Sequence, residues 1–153
     1  MKIKLKKFNI LHSTKFILLS LNPKTSKELS NNFYYYFYRG IKGLFVKEDS
    51  YKFAIYVKKK FVGSISFYLN KGEYELGYFI LPQYHGKGIA TKAIKEMTNY
   101  IFNKLNFKKI KAVTNSNNLS SIKTLRKNGF KIIKRNKKAK ELIFERKRKW
   151  KQN

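Results

Sequence analysis

Between Glu73 and Leu105 the apolar side chains change their period across one short turn. On the near side the alternation is strict. Tyr74, Leu76, Tyr78 and Ile80 share one face, while Glu73, Glu75, Gly77, Phe79 and Leu81 share the other. That is the period of a strand. On the far side Ala90, Ala93, Ile94, Met97, Ile101 and Leu105 fall along one stripe of a helix. Pro82 ends the strand, and Gln83-Tyr84-His85-Gly86-Lys87-Gly88-Ile89-Ala90 joins the two. A strand that turns directly into an amphipathic helix points to a mixed α/β (α+β) fold.

The turn has a chemistry of its own. The first N–H groups of a helix lack an internal partner, and the helix dipole favours an anion beside them. Gly86 and Gly88 permit a tight turn and close approach of a ligand, and Lys87 adds positive charge. The stretch matches neither G-x-x-x-x-G-K-[ST] nor G-x-G-x-x-G. From the residues alone it is either an anion site of unspecified ligand or a surface connection that uses glycines for turning.

Around this unit the chain reads as one domain over residues 1–150. Lys2 to Phe8 alternates as an edge strand rich in lysine. Ser13 or Thr14 is positioned to cap a short helix carrying Phe16, Ile17, Leu18 and Leu19, which Asn22-Pro23 breaks. Residues 24–38 read as a second helix ending in the aromatic run Phe33 to Tyr38, a packed flank or a base-stacking surface. Arg39-Gly40 and Gly43 then turn the chain.

Tyr51–Val57, Phe61–Leu69 and residues 73–81 form a three-strand meander, with Gly63 at a bulge. Phe107 to Thr114 is a further strand. Ile122 and Leu125 mark a helix closed by Asn128-Gly129, and Phe130–Ile133 with Leu142–Phe144 make a last hairpin. The order is β-α-α-β-β-β-α-β-α-β-β, and residues 145–153 are expected to be a frayed basic tail.

Composition narrows the function classes. The chain has no cysteine and only His12 and His85, which argues against a disulfide, a thiolate nucleophile or a metal centre. With no apolar run long enough for a signal or a span, it reads as cytoplasmic, without membrane association. The net charge of +28 would suit a polyanion, but 31 of the 36 basic residues are lysine and only five are arginine. Arginine is the side chain best shaped to read phosphates and bases. The charge is therefore read mainly as a lysine-rich solvated surface, with weak attraction for the ribosome or another polyanion as the remainder.

The motif Q-x-x-G-x-G-I-A after E-x-G-Y-x-I resembles the acyl-CoA pyrophosphate loop of the GCN5-related N-acetyltransferase (GNAT) family. Asn118-Leu119-Ser120-Ser121, followed by a helix and Gly129-Phe130, resembles the second half of that family's signature. The similarity is greatest to the branch that acetylates the N-termini of ribosomal proteins, and covers residues 50–130.

It implies a strongly twisted mixed sheet flanked by helices on both faces, with acetyl-CoA as cosubstrate and no metal. It also implies transfer of the acetyl group to a primary amine, on a protein N-terminus or a small molecule, by a monomer or homodimer. By the same resemblance, the backbone at Phe79, Ile80 and Leu81 holds the acyl carbonyl. Gln83, Tyr84, His85, Gly86, Lys87, Gly88, Ile89 and Ala90 hold the pyrophosphate, and Asn118 holds the pantetheine arm.

Glu75 is the candidate base, with Glu73 as runner-up. Pairing with one of the many lysines is the structural alternative for either glutamate, and helix capping is the alternative for Asn118 and Ser121. The family often places a tyrosine four residues before the Gly-Phe glycine, where this chain has Leu125. That departure shifts the acid role to Ser121. The competing reading from another class is a basic nucleic-acid- or ribosome-associated binding module on a degenerate acyltransferase fold. A third is an acyl-CoA sensor without turnover.

Overall fold

Seven strands lie in one sheet: β1 (Ile3–Lys7), β2 (Ser50–Val57), β3 (Lys60–Asn70), β4 (Glu73–Ile80), β5 (Lys109–Asn115), β6 (Lys131–Asn136) and β7 (Glu141–Lys147). Their spatial order is β1-β2-β3-β4-β5-β7-β6, and every neighbouring pair is antiparallel except β4 and β5. Among the described residues three α-helices accompany them: α1 (Ile10–Leu21), α2 (Ile89–Asn103) and α3 (Leu119–Lys127). The protein is a computed structural model, and residues 1–21, 50–70 and 73–148 are described. The expected helix over 24–38, its aromatic run and the turn at Arg39-Gly40 lie outside those residues.

Alternation along each strand sorts the side chains into two layers. Ile55, Val62, Ile65, Phe67, Leu76, Ile80, Ile110, Ala112, Leu142 and Phe144 turn to the face covered by α2 and α3, where Ile94, Met97, Ile101 and Leu125 close the core. Completely burying a side chain such as Phe67 or Phe144 contributes about 1.5–3 kcal/mol, and this layer holds many. On the opposite face Phe8, Ala54 and Tyr56 form a smaller cluster with Phe61 and Phe79. The ring of His12 in α1 packs against Phe8, Tyr56 and Phe61 there. Helices thus lie on both faces of a mixed sheet, in the single-domain α/β arrangement expected.

Several boundaries differ from expectation for local reasons. Helix α1 begins at Ile10, not after Ser13 or Thr14. The His12 ring nitrogen Nδ1 accepts the Asn9 N–H at 3.1 Å, so histidine satisfies the first donor of the turn as a glutamate does in a capping box. Thr14 already lies inside the helix and donates to the Leu11 carbonyl at 2.9 Å. Phe107 does not start β5. Its ring packs edge-on against the stacked rings of Phe67 and Tyr74, and its N–H bonds to the Ile101 carbonyl, so aromatic packing holds it at the end of α2. Strand β7 continues through Lys147, opposite Lys109, three residues into the stretch expected to fray.

The bulge at Gly63 is present. The β2–β3 register passes from Ile55 opposite Gly63 to Tyr56 opposite Phe61, which leaves Val62 as the extra residue. On the other side of β3 the approach is closer still. A Cβ at Gly63 would stand 2.1 Å from the Phe79 carbonyl oxygen.

Candidate active site

Strand β4 is bonded differently along its two edges. Toward β3 it pairs over its whole length, from Glu73 opposite Asn70 to Ile80 opposite Gly63. Toward β5 it pairs at one position only, Glu75 opposite Lys111. Beyond that point the two parallel strands separate, and a gap opens toward their C-terminal ends.

Which backbone groups face this gap follows from the ladder. The Leu81 N–H donates to the Val62 carbonyl at 2.9 Å. In an antiparallel pair alternate residues point their N–H and C=O the same way. Glu73, Glu75, Gly77, Phe79 and Leu81 therefore spend these groups on β3, and Tyr74, Leu76, Tyr78 and Ile80 turn theirs to the β5 side. Of the expected trio Phe79, Ile80 and Leu81, Ile80 is the one whose N–H is turned to the gap, joined by Tyr78. The Ile80 carbonyl is taken by His85 Nε2 at 2.8 Å, and since a carbonyl only accepts, Nε2 carries the proton.

The turn beyond β4 is a 3₁₀ turn at Pro82–Tyr84 followed by Gly86 and Gly88, both in the left-handed region at φ 73° and 68°. Gly88 is the N-cap of α2 and supplies no side chain, so the first N–H groups of the helix have no side-chain cap. A Cβ on either glycine would meet no protein atom within 4 Å. The glycines are thus needed for backbone conformation and leave open space over the helix end. Lys87 folds back, its Nζ donating to the Gln83 carbonyl at 3.0 Å and standing 5.3 Å from the Tyr84 ring centre. An anion over this helix end would meet bare N–H groups, with a cation close by.

The other wall of the gap is the start of α3. Asn118 is its N-cap, with Oδ1 accepting the Ser121 N–H at 3.0 Å, so its amide NH₂ remains the group that could donate to a ligand. The Ser121 side chain is partly exposed on the helix's first turn. From across the gap the Tyr78 phenol donates to Ser121 Oγ at 2.9 Å. Burial raises the phenol above its ordinary pKa, partly offset by the hydroxyls of Ser121 and Thr124. Leu125, where the family often carries tyrosine, is buried in the core at 1% exposure.

The sequence pairs Ser121 with no tyrosine. The structure brings one from β4. Its signal was the alternation that puts Tyr78 on the face of Leu76 and Ile80, under α3.

The two glutamates sit at the closed end of the gap, on the face turned toward α1. Glu73 is ion-paired to Lys111, and that hydrogen bond, more than any other influence, holds its carboxyl below the usual range. A carboxylate so held is a weaker base. Glu75 accepts from Asn70 Nδ2 at 3.2 Å. Along the strand it stands about 10 Å behind Tyr78. Among the described residues no group of three or more His, Asp or Glu side chains could hold a metal. No described helix is long and apolar enough to cross a membrane.

A family profile described as an acetyltransferase (GNAT) domain matches residues 17–131. The chain belongs to the GNAT family. Probable N-acetyltransferase YjcK of Bacillus subtilis is 32% identical over 90 residues, 55% of this chain and 50% of YjcK. Uncharacterized N-acetyltransferase p20 of Bacillus licheniformis is 31% identical over 90 residues, 56% of this chain and 51% of p20. The chain thus spans about half the length of the curated relatives it matches.

Among solved structures, Campylobacter jejuni N-acetyltransferase PseH in complex with acetyl coenzyme A superposes with TM-score 0.68 at 23% identity, covering 97% of this chain and 100% of PseH. RimL, a ribosomal L7/L12 alpha-N-protein acetyltransferase, superposes with TM-score 0.78 at 13% identity, covering 97% of this chain and 91% of RimL. At these identities the likeness is one of fold and selects no branch of the family.

Proposed function

We propose that this protein transfers the acetyl group of acetyl-CoA to a primary amine, on a peptide N-terminus or a small molecule. The observation that carries the reading is the single β4–β5 pair, with a glycine-lined helix end beyond it. The gap offers strand-edge N–H groups to an amide-bearing arm, and the helix end offers N–H groups to its pyrophosphate.

Acetyl-CoA brings an already activated thioester, so the residues here have modest tasks. Tyr78 and Ile80 N–H groups meet the acyl oxygen as charge develops on it. Residues Gln83 to Ala90 hold the pyrophosphate, and the Asn118 amide meets the arm between them. Glu75 draws the proton from the attacking amine through bridging water, given its distance. Ser121 meets the departing sulfur. Glu75 and Ser121 approach from opposite faces of the sheet, which suits an amine arriving on one side of the carbonyl carbon and a sulfur leaving on the other.

The binding-module alternative needs aromatic side chains presented on the surface. Among the described residues Tyr51, Phe67, Tyr74, Tyr100 and Phe107 pack against one another around the core, and the exposed large apolar side chains are Met1 and the aliphatics Ile10, Leu11, Leu18, Leu69, Leu119 and Ile133. The gap beside β4 and the glycine-lined helix end beyond it favour the enzyme reading.

Its test is calorimetry with acetyl-CoA, followed by thiol release against a panel of peptides, aminoglycosides and polyamines. Gly86→Asp should weaken acetyl-CoA binding at least about tenfold, because it puts a carboxylate over the helix end. Equal binding by the variant refutes the loop assignment.

A further inference from the structure

We propose that Tyr78 is a positioning residue for acyl transfer: its phenol fixes the Ser121 hydroxyl so that the serine's one proton points into the β4–β5 gap, toward the departing sulfur.

The argument is a count of donors. A serine hydroxyl has one proton and two lone pairs. At 2.9 Å, Tyr78 and Ser121 share one hydrogen bond, and only one of the two oxygens can donate in it. A phenol is the stronger acid and better donor, an aliphatic alcohol the better acceptor. The phenol therefore donates, and the serine proton is left to seek another acceptor.

Asn118 Oδ1 receives the Ser121 N–H at 3.0 Å, and no hydrogen bond joins it to Ser121 Oγ. The phenol itself cannot swing away easily. Tyr78 packs with the core on β4 between Leu76 and Ile80, both buried.

The bond changes balance without a further reagent. The amine nitrogen bonds to the carbonyl carbon, the carbon–sulfur bond breaks, and its electron pair remains on sulfur. The sulfur is stabilised by the Ser121 O–H. The proton lost by the nitrogen leaves through water and is the one the thiol finally carries. Tyr78 exchanges no electrons and need not ionise, consistent with its burial.

This inference rests on the acetyl-CoA reading, and the test separates the two. The thiol of bound CoA is titrated by the ultraviolet absorbance of its thiolate, in the unaltered protein, Tyr78→Phe, Ser121→Ala and the double variant. With Ser121 donating, the bound thiol should titrate about 0.5–1 pH unit higher in Tyr78→Phe than in the unaltered protein. The double variant should match Ser121→Ala alone. In turnover the same variants should lower kcat about 3–12-fold while leaving KM for acetyl-CoA unchanged.

A merely structural tyrosine would lower the melting temperature and move neither the titration nor its coupling to Ser121. Identical thiol titration in Tyr78→Phe and the unaltered protein overturns the positioning role. So does a further shift on adding Tyr78→Phe to Ser121→Ala. Failure of the unaltered protein to bind CoA overturns the acetyl-CoA reading, and the inference with it. CoA bound without turnover on any amine would leave the titration as the deciding result.

Discussion

The two edges of β4 are built from the same eight residues and behave oppositely. Toward β3 every residue has an opposite number, and the contact is so close that only glycine fits at position 63. Toward β5 a single register pair holds, and the N–H groups of Tyr78 and Ile80 turn to the gap. The paired edge supplies rigidity, and the other edge uses that rigidity to hold polar groups ready for a ligand. Preorganised donors cost nothing to reorganise at the moment of reaction, and this is where they are worth most. A strand that was loose on both sides could not offer them.

The largest effect should come from breaking the paired edge. Gly63→Val drives a side chain into the Phe79 carbonyl, which backbone movement alone can relieve. Overpacking of this kind should cost about 3 kcal/mol or more, read as a lowered urea midpoint, and should abolish acetyl-CoA binding with it. A variant with unchanged midpoint would show that the close edge is not what stiffens β4.

The next test leaves the ladder intact and alters only chemistry beside the gap. Glu75→Gln keeps the backbone pair with Lys111 and an acceptor for Asn70, yet removes the proposed base. The expected loss in kcat/KM is about 10²-fold at neutral pH, with acetyl-CoA affinity and melting temperature unchanged. An unaltered pH–rate profile would assign the proton to another group or to water.

The smallest effect belongs to the boundary between the two regimes. The Glu73 carboxyl is held below its ordinary range chiefly by the Lys111 hydrogen bond. A depressed carboxylate contributes stability above its unfolded-state pKa and loses it as pH falls through the folded one. Melting temperature should therefore decline slightly more steeply under acid in the native protein than in Glu73→Gln. Parallel declines would mean that this exposed pair is screened to nothing.

Much of this was legible in the chain. The alternation of 73–81, the stripe from Ala90 to Leu105 and the two glycines between them placed the central strand, the helix and the turn that joins them. The Gly63 bulge and the meander around it also stood out, because turn residues and β-branched or aromatic runs are local signals. What was not legible depended on partners far apart in sequence. Tyr78 meets Ser121 across 43 positions, and Glu73 meets Lys111 across 38. No period reports either. Leu125 read as the absence of an acid, because its position on the helix gave no hint that a phenol comes from the opposite wall. The start of α1 was misplaced because His12 does the work that capping rules give to Ser, Thr or Glu.

One last consequence concerns Lys111. In mechanical terms the parting of β4 and β5 is a crack, and its tip lies where Glu75 faces Lys111. Cracks advance when the material at the tip is weak. Here the tip is clamped by the same lysine's ion pair to Glu73, immediately behind it. Lys111 thus ties β4 to β5 by a side chain at the place where the backbone ladder stops, a clasp at the closed end of the fissure.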